Sequence, residues 1–299
     1  MDDEFEDEEE KQEEIKEKPK KHRFIHFIFL VIILIVGLVF YSKYIGTSGI
    51  EIKEYRVESN ILKKEYSGLK IVHFSDLLYK STIDKNDLKE LVDKINILNP
   101  DIVIFTGDLA SPLAKIKEDD INILKEELTR INAKISKYAI YGDNDYKLSS
   151  YEQIITESGF ILLNNSYDEL YYNSLDPIYI VGIPSIIKEK TDLKTSFEFY
   201  NEENRNYTIV LAHDGKTIKN INESEYEVDL ILGGHNLGGL IKIPTLGGII
   251  NDKNSYKYKN DYYEKGITKI YISSGLGTNK YDYRLFNKPS FNFYRLKSK

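Results

Sequence analysis

Short runs of β-branched and aliphatic residues recur along this chain, and most of them stop at a carboxylate, an imidazole or a Gly-polar turn. Residues 69–74 lead into Ser75 and Asp76, and residues 101–105 into Thr106, Gly107 and Asp108. Residues 138–141 open onto Gly142, Asp143, Asn144 and Asp145; residues 207–212 onto His213; residues 230–233 onto Gly234 and His235. An α/β sheet presents ligand-binding groups in this way, at its strand ends. Residues 86–98 place Leu88, Leu91, Val92, Ile95 and Leu98 at helical spacing, and residues 120–135 do the same with Ile121, Leu124, Leu128, Ile131 and Ile135. Residues 178–182 and 269–273 are further strand candidates. Early alternation of strand and helix, followed by a strand-rich half, predicts a layered α/β domain with two sheets. Three carboxylates and two well-separated histidines at those strand ends form a set of metal-ligand types.

The N-terminal part is different in kind. Residues 1–23 carry 11 acidic and 6 basic side chains, so most of the overall charge of −7 sits there and the remainder is close to neutral. Such a segment buries too little apolar surface to fold alone and is expected to be a disordered acidic tail, with a protein partner left open. Residues 24–41 are apolar apart from His26 and would span roughly 27 Å as a helix, about the hydrocarbon thickness of a bilayer. Lys18, Lys20, Lys21 and Arg23 precede the run, against Lys43 after it. The positive-inside rule then places the N-terminus in the cytoplasm and the rest outside. The segment after the run offers no small-x-small cleavage pattern, so an uncleaved anchor over residues 24–43 is expected, with one domain over 44–299. No basic face argues for a nucleic-acid partner. With no cysteine, disulfides, thiolate metal sites and a Cys nucleophile are excluded.

Taken in order, these segments resemble the calcineurin-like metallophosphoesterases, in particular their small membrane-anchored bacterial members, over roughly residues 51–296. Ser75-Asp-Leu-Leu78 looks like the family's S-D-L-H, and Thr106-Gly-Asp-Leu109 matches its T-G-D-L. Gly142-Asp-Asn-Asp145 stands where the family has G-N-H-D, and Leu211-Ala-His213 matches its lone-histidine strand. Gly234-His-Asn-Leu-Gly-Gly239 occupies the place of G-H-T-H-G-G. The resemblance implies a four-layer α/β/β/α sandwich and a two-metal site for phosphoester hydrolysis.

Three family histidines are replaced, by Leu78, Asn144 and Leu237. By the resemblance, both leucines fall on the first ion, which leaves Asp76 and Asp108 alone to hold it. The second ion would take Asp108, Asp143, His213 and His235, a set of nitrogens and oxygens that suits Mn²⁺, Fe²⁺ or Zn²⁺. One divalent ion is therefore expected and a second is not. Asn144 stands at the family's catalytic histidine position and cannot exchange a proton near neutral pH. Hydrolysis is expected to be weak or absent, leaving a binding or regulatory module for a phosphate-bearing ligand; the alternative is an active metal-dependent phosphohydrolase acting outside the cytoplasm. A further variant has Lys80 supply charge where the first ion would sit. His73, on the opposite strand face from Asp76, is expected to be a hydrogen-bonded core residue.

Overall fold

Residues 102–105, Ile-Val-Ile-Phe, are wholly buried, and such a run is stable only in a sheet covered on both faces. The computed structural model describes residues 20–186, 189–235, 240–243, 247–248, 258–279 and 281–299. Two units are distinguished, divided between Phe40 and Tyr41. The first contains the helix α1 (Lys20–Phe40). Arg23–Ile45 is the one stretch among the described residues long and apolar enough to cross a membrane. Residues 20–23, which the sequence reading placed in the acidic tail, belong to α1. Residues 1–19, the rest of that tail, lie outside the described residues.

The second unit carries strands β1 (Glu51–Ser59), β2 (Lys70–Phe74), β3 (Ile102–Phe105), β4 (Ser136–Ala139), β5 (Ile161–Leu162), β6 (Ser166–Leu170) and β7 (Ile178–Ile183). They are followed by β8 (Thr208–Ala212), β9 (Leu230–Gly233), a short pair β10 (Lys242–Ile243) and β11 (Gly247–Gly248), then β12 (Tyr262–Lys265), β13 (Thr268–Ile272) and β14 (Ser290–Ser298). One sheet has the order β1-β14-β2-β3-β4-β5, the other β12-β13-β9-β8-β7-β6. Alternation along β2 shows how the layers form. Ile71 faces a core between the sheets with Ile104, Ile180, Leu211 and Leu232. Val72 and Phe74 face helices α2 (Lys85–Ile97), α3 (Glu118–Thr129) and α4 (Tyr151–Glu157) through Leu88, Leu124 and Ile154. On the far side, Val210 and Ile231 pack with Ile218 and Ile221, the latter two from a helix over Gly215–Asn222. The result is the expected α/β/β/α sandwich.

Two local expectations change. The helix expected over 120–135 ends at Thr129. Lys134 and Ile135 instead give their backbone N–H groups to Pro100 and Asp101, which starts β4 beside β3. Ile131 still packs into the helix-side core, so the apolar spacing outlived the helix. The edge strand β1 was not expected at all: among its residues only Val57 is buried. It is held by parallel pairing with β14.

Candidate metal centre

The side chains read from the sequence as candidate ligands all lie just past strand ends: Asp76 after β2, Asp108 after β3, Asp143 after β4, His213 after β8 and His235 after β9. The backbone there is unusual. Asp76, Leu78, Lys80, Asp108 and His235 all have left-handed φ, between 46° and 67°. Non-glycine residues hold that region at a cost of about 1–3 kcal/mol each, and only where the surroundings over-determine it. Here they do: Asp76 N–H donates to Gly107 O at 2.9 Å and Leu78 N–H to Asp108 O at 3.0 Å, tying the two loops together beyond the strands.

Asp108, His213 and His235 each offer one atom, all within 4.8 Å of one another. The imidazoles of His213 and His235 meet edge to face with centroids 5.2 Å apart. Asp143 joins them through His235: its Oδ2 lies 3.2 Å from His235 Nδ1, while its Oδ1 accepts the hydroxyl of Ser185. Asp76 is engaged differently, its Oδ2 accepting the backbone N–H of His235 at 3.0 Å. Close packing makes this convergence feasible only with glycine at two positions. A Cβ on Gly142 would stand 2.4 Å from Asp108 N and 2.8 Å from His213 Cε1; one on Gly234 would stand 2.0 Å from Ser75 Oγ.

The orientation of His213 is set by its neighbour. Its Nδ1 lies 2.6 Å from the carbonyl oxygen of Thr106, and a carbonyl only accepts, so Nδ1 carries the hydrogen. Nε2 points toward Asp108 Oδ2 at 3.6 Å and is buried without a hydrogen-bond partner among the described residues. Metal-ligating histidines are held in this way, with one ring nitrogen bonded to a carbonyl and the other presented to the ion. Asp214, next in the chain, accepts the N–H groups of Lys216 and Thr217 and caps the following helix, which fixes where β8 ends.

Charge reinforces the arrangement. Burial opposes a charged His213, yet the carboxylates of Asp108, Asp76 and Asp143 outweigh it and hold the imidazole well above its ordinary value. Burial likewise works against the Asp108 carboxylate, but His213 and the N–H donors of Asn144 bring it below the usual range. Asp76 is pushed up by burial, which outweighs the pull of His213, with Asp108 adding repulsion. A field that favours a proton on His213 favours a divalent cation at the same place. Two imidazole nitrogens, nearby carboxylates and a buried unpartnered Nε2 are a donor set that fits such an ion.

Asn144 sits across Asp108. Its backbone N–H reaches Oδ1 at 2.8 Å and its side-chain amide reaches Oδ2 at 2.6 Å. Asp145, to which the sequence reading gave no role, is the clamp beneath. It accepts N–H groups from Asp108 (2.8 Å), Leu109 (2.8 Å) and Gly142 (2.7 Å). Burial and the charge of Asp108 push its carboxyl up to about 7, against those three bonds. Ser185 was missed as well. A Ser after an apolar strand carries little signal, whereas the paired acids of Gly-Asp-Asn-Asp could have pointed to Asp145.

Leu78 is buried, and a Cβ on Gly277 would approach its own Cβ to 2.7 Å. Leu237 lies outside the described residues. Lys80 does not stand in for an ion: its ammonium bonds Asp120 Oδ2 at 2.7 Å. His73 is a core residue, with Nε2 2.9 Å from Thr106 Oγ1 and Nδ1 3.4 Å from the Tyr294 hydroxyl.

Residues 69–238 match the family profile described as calcineurin-like phosphoesterase. The metallophosphoesterase YkuE of Bacillus subtilis (strain 168) is 29% identical over 261 residues, covering 86% of this chain and 89% of the relative. The UDP-2,3-diacylglucosamine pyrophosphatase LpxG of Chlamydia muridarum is 25% identical, over 76% of this chain and 83% of the relative. A transmembrane protein with metallophosphoesterase domain from Danio rerio is 24% identical, over 72% of this chain and 50% of its own length. Among solved structures, the calcineurin-like phosphoesterase YfkN from Bacillus subtilis matches with a TM-score of 0.41 and 18% identity, over 70% of this chain and 82% of that one.

Proposed function

The chain belongs to the calcineurin-like phosphoesterase family, and from that premise we propose a membrane-anchored protein that binds a phosphate-bearing ligand at one divalent metal ion, with weak or no hydrolysis. Asp108, Asp143, His213 and His235 would hold the ion, of Mn²⁺, Fe²⁺ or Zn²⁺ type. The observation that carries this reading is the buried Nε2 of His213, aimed at Asp108 while Nδ1–H is tied to Thr106 O. A bound ion supplies Lewis acidity to a phosphoryl oxygen. The chain's own residues then set the limit. Asn144 is locked on Asp108 by two hydrogen bonds and has no proton to give a leaving group. Loss of a general acid alone costs about 10²–10⁴-fold in rate. The apolar helix and the lysines before it support an anchor with the N-terminus in the cytoplasm and the domain outside.

An active phosphohydrolase is the second reading, favoured by a relative whose name states a pyrophosphatase activity. One experiment separates the two. The full-length chain is purified in detergent, its metal content measured, and turnover of bis(p-nitrophenyl) phosphate followed with added Mn²⁺ beside the Bacillus subtilis relative. About one ion per chain is expected, with turnover at least ~10²-fold below the relative. Turnover near 1 s⁻¹, a typical enzyme value at about that order, that vanishes in Asp108→Ala would carry the hydrolase reading instead. A chain that binds no metal sinks both.

A further inference from the structure

Tyr41–Ile45 belong at once to the apolar stretch Arg23–Ile45 and to the folded second unit. They form a π-helical turn, in which the Gly46 N–H reaches Tyr41 O at 2.7 Å. That turn is built into the domain. Ser42 is buried, and its carbonyl accepts the backbone N–H of Arg284 at 2.9 Å. A Cβ on Gly46 would stand 1.8 Å from Arg284 O, so only glycine lets the two backbones touch there. Arg284 is wholly buried, and its guanidinium donates to the carbonyls of Ser274 (3.0 Å), Gly277 (2.7 Å) and Asn287 (3.1 Å). The loop from Arg284 continues to Phe286, which has a φ of 55° and is 57% exposed. A bulky residue in that region is an outlier, kept only where its surroundings fix it. On one side Leu285 is bonded to Leu240 O and to the Lys242 N–H; on the other Arg284 holds Asn287 O. The strained backbone thus turns a phenyl ring outward, and Tyr44, Ile45 and Tyr281 are exposed as well.

We propose that this rim, Tyr44, Ile45, Tyr281 and Phe286, is a membrane-docking surface that beds into the lipid headgroup region and holds the domain on the bilayer. Chain continuity argues for lipid as the occupant. Residues 41–45 end the apolar stretch, and the loop bonded to Ser42 is carried to the same depth with no spacer between. Aromatic side chains favour that boundary, and apolar ones settle roughly 5–10 Å into it. Lys43, its ammonium 5.6 Å from the Tyr44 ring centroid, adds a cation suited to lipid phosphates. The inference rests on the membrane-anchor reading above, independently of phosphate binding, and adds a second lipid contact from a segment some 240 residues further along the chain. The rim stands one loop away from the candidate metal centre: Leu276 and Gly277, flanked by carbonyls that Arg284 holds, donate their N–H groups to Asp76 O at 3.1 and 2.9 Å.

The chain has no cysteine, so one introduced thiol carries one fluorophore on the full-length protein in phosphatidylcholine–phosphatidylglycerol vesicles. Phe286→Cys reports on the rim, with Tyr281→Cys in its place should that variant fail to fold. Ile33→Cys reports on the apolar stretch. Leu175→Cys is the control, 96% exposed in the turn before β7 and so at the opposite end of that sheet from His213. With lipids bearing a nitroxide near the top of the acyl chain, the rim label should lose most of its emission and be shielded from aqueous iodide. The label at 175 should keep its emission in those vesicles and be quenched by iodide. A rim label that behaves like the one at 175 overturns the docking surface, and the anchor reading stands if deep nitroxide lipids quench the label at 33. Shielding from iodide without quenching by lipid means that protein, such as a second copy of this chain, covers the rim, and overturns the proposal as well. A label at 33 that no lipid nitroxide quenches removes the anchor reading and this inference with it.

Discussion

Two fully buried imidazoles flank Thr106 and have opposite fates. His73 meets the Thr106 hydroxyl in the core between the sheets, and burial alone pushes it down to about 3, so it stays neutral. His213 meets the Thr106 carbonyl at the strand ends, and the carboxylates around it hold it well above its ordinary value. Burial is the same for both, so burial does not separate the candidate ligand from the core residue. The difference lies in what faces the second ring nitrogen: the Tyr294 hydroxyl at 3.4 Å for His73, the Asp108 carboxylate at 3.6 Å for His213.

The sharpest way to break this contrast is to remove each ring in turn. His213→Ala should weaken binding of the metal ion at least ~100-fold, since a ligand and its charge balance go together, while His73→Gln should leave metal content unchanged. Metal analysis after dialysis checks both. Equal losses would mean that the two histidines do not differ in role.

The next effect is on stability. His73 sits at about 3 in the fold against 6.5 when unperturbed. Above that unperturbed value neither state holds the proton and pH has no effect through this group. As pH falls below it, the unfolded chain protonates first, so stability is lost progressively until the folded value is reached. At pH about 5 the loss amounts to roughly 2 kcal/mol. His73→Gln should flatten the pH dependence of the urea midpoint between about pH 7.5 and 5 by that amount; an unchanged slope would refute the buried neutral assignment.

Smaller again is the effect of crowding the second imidazole. Gly142→Ala places a methyl group against Asp108 N and His213 Cε1, and the shift required should weaken metal binding about tenfold and destabilise the chain by roughly 1–3 kcal/mol. The mildest change concerns the leucines. Leu78→His together with Leu237→His should raise metal content from about one to about two per chain. No extra ion in that double variant would show that the two positions do not serve one site.

Much of this was legible before any coordinates. The buried strands announce themselves as solid apolar runs, because a strand covered on both faces has no room for polar alternation. The candidate ligands follow those runs directly, so their order along the chain carried the family resemblance. Residues 130–135 misled for the same reason: Ile131 and Ile135 keep helical spacing although the chain has already turned toward β4. Ser185 and Asp145 were not legible as site residues, since their partners are a carboxylate and backbone N–H groups supplied by distant loops.

The amino-acid order by itself determined the layered α/β class, the apolar N-terminal helix and the identities of the candidate ligands, because apolar periodicity and residue chemistry are local properties. Tertiary structure alone decided that ligand-type atoms of Asp108, His213 and His235 lie within 4.8 Å of one another, that Asp143 contacts His235, and that His213 rather than His73 faces a carboxylate. Those facts depend on distances between strand ends far apart in sequence, and on which backbone carbonyl orients a ring. No spacing within the chain encodes either.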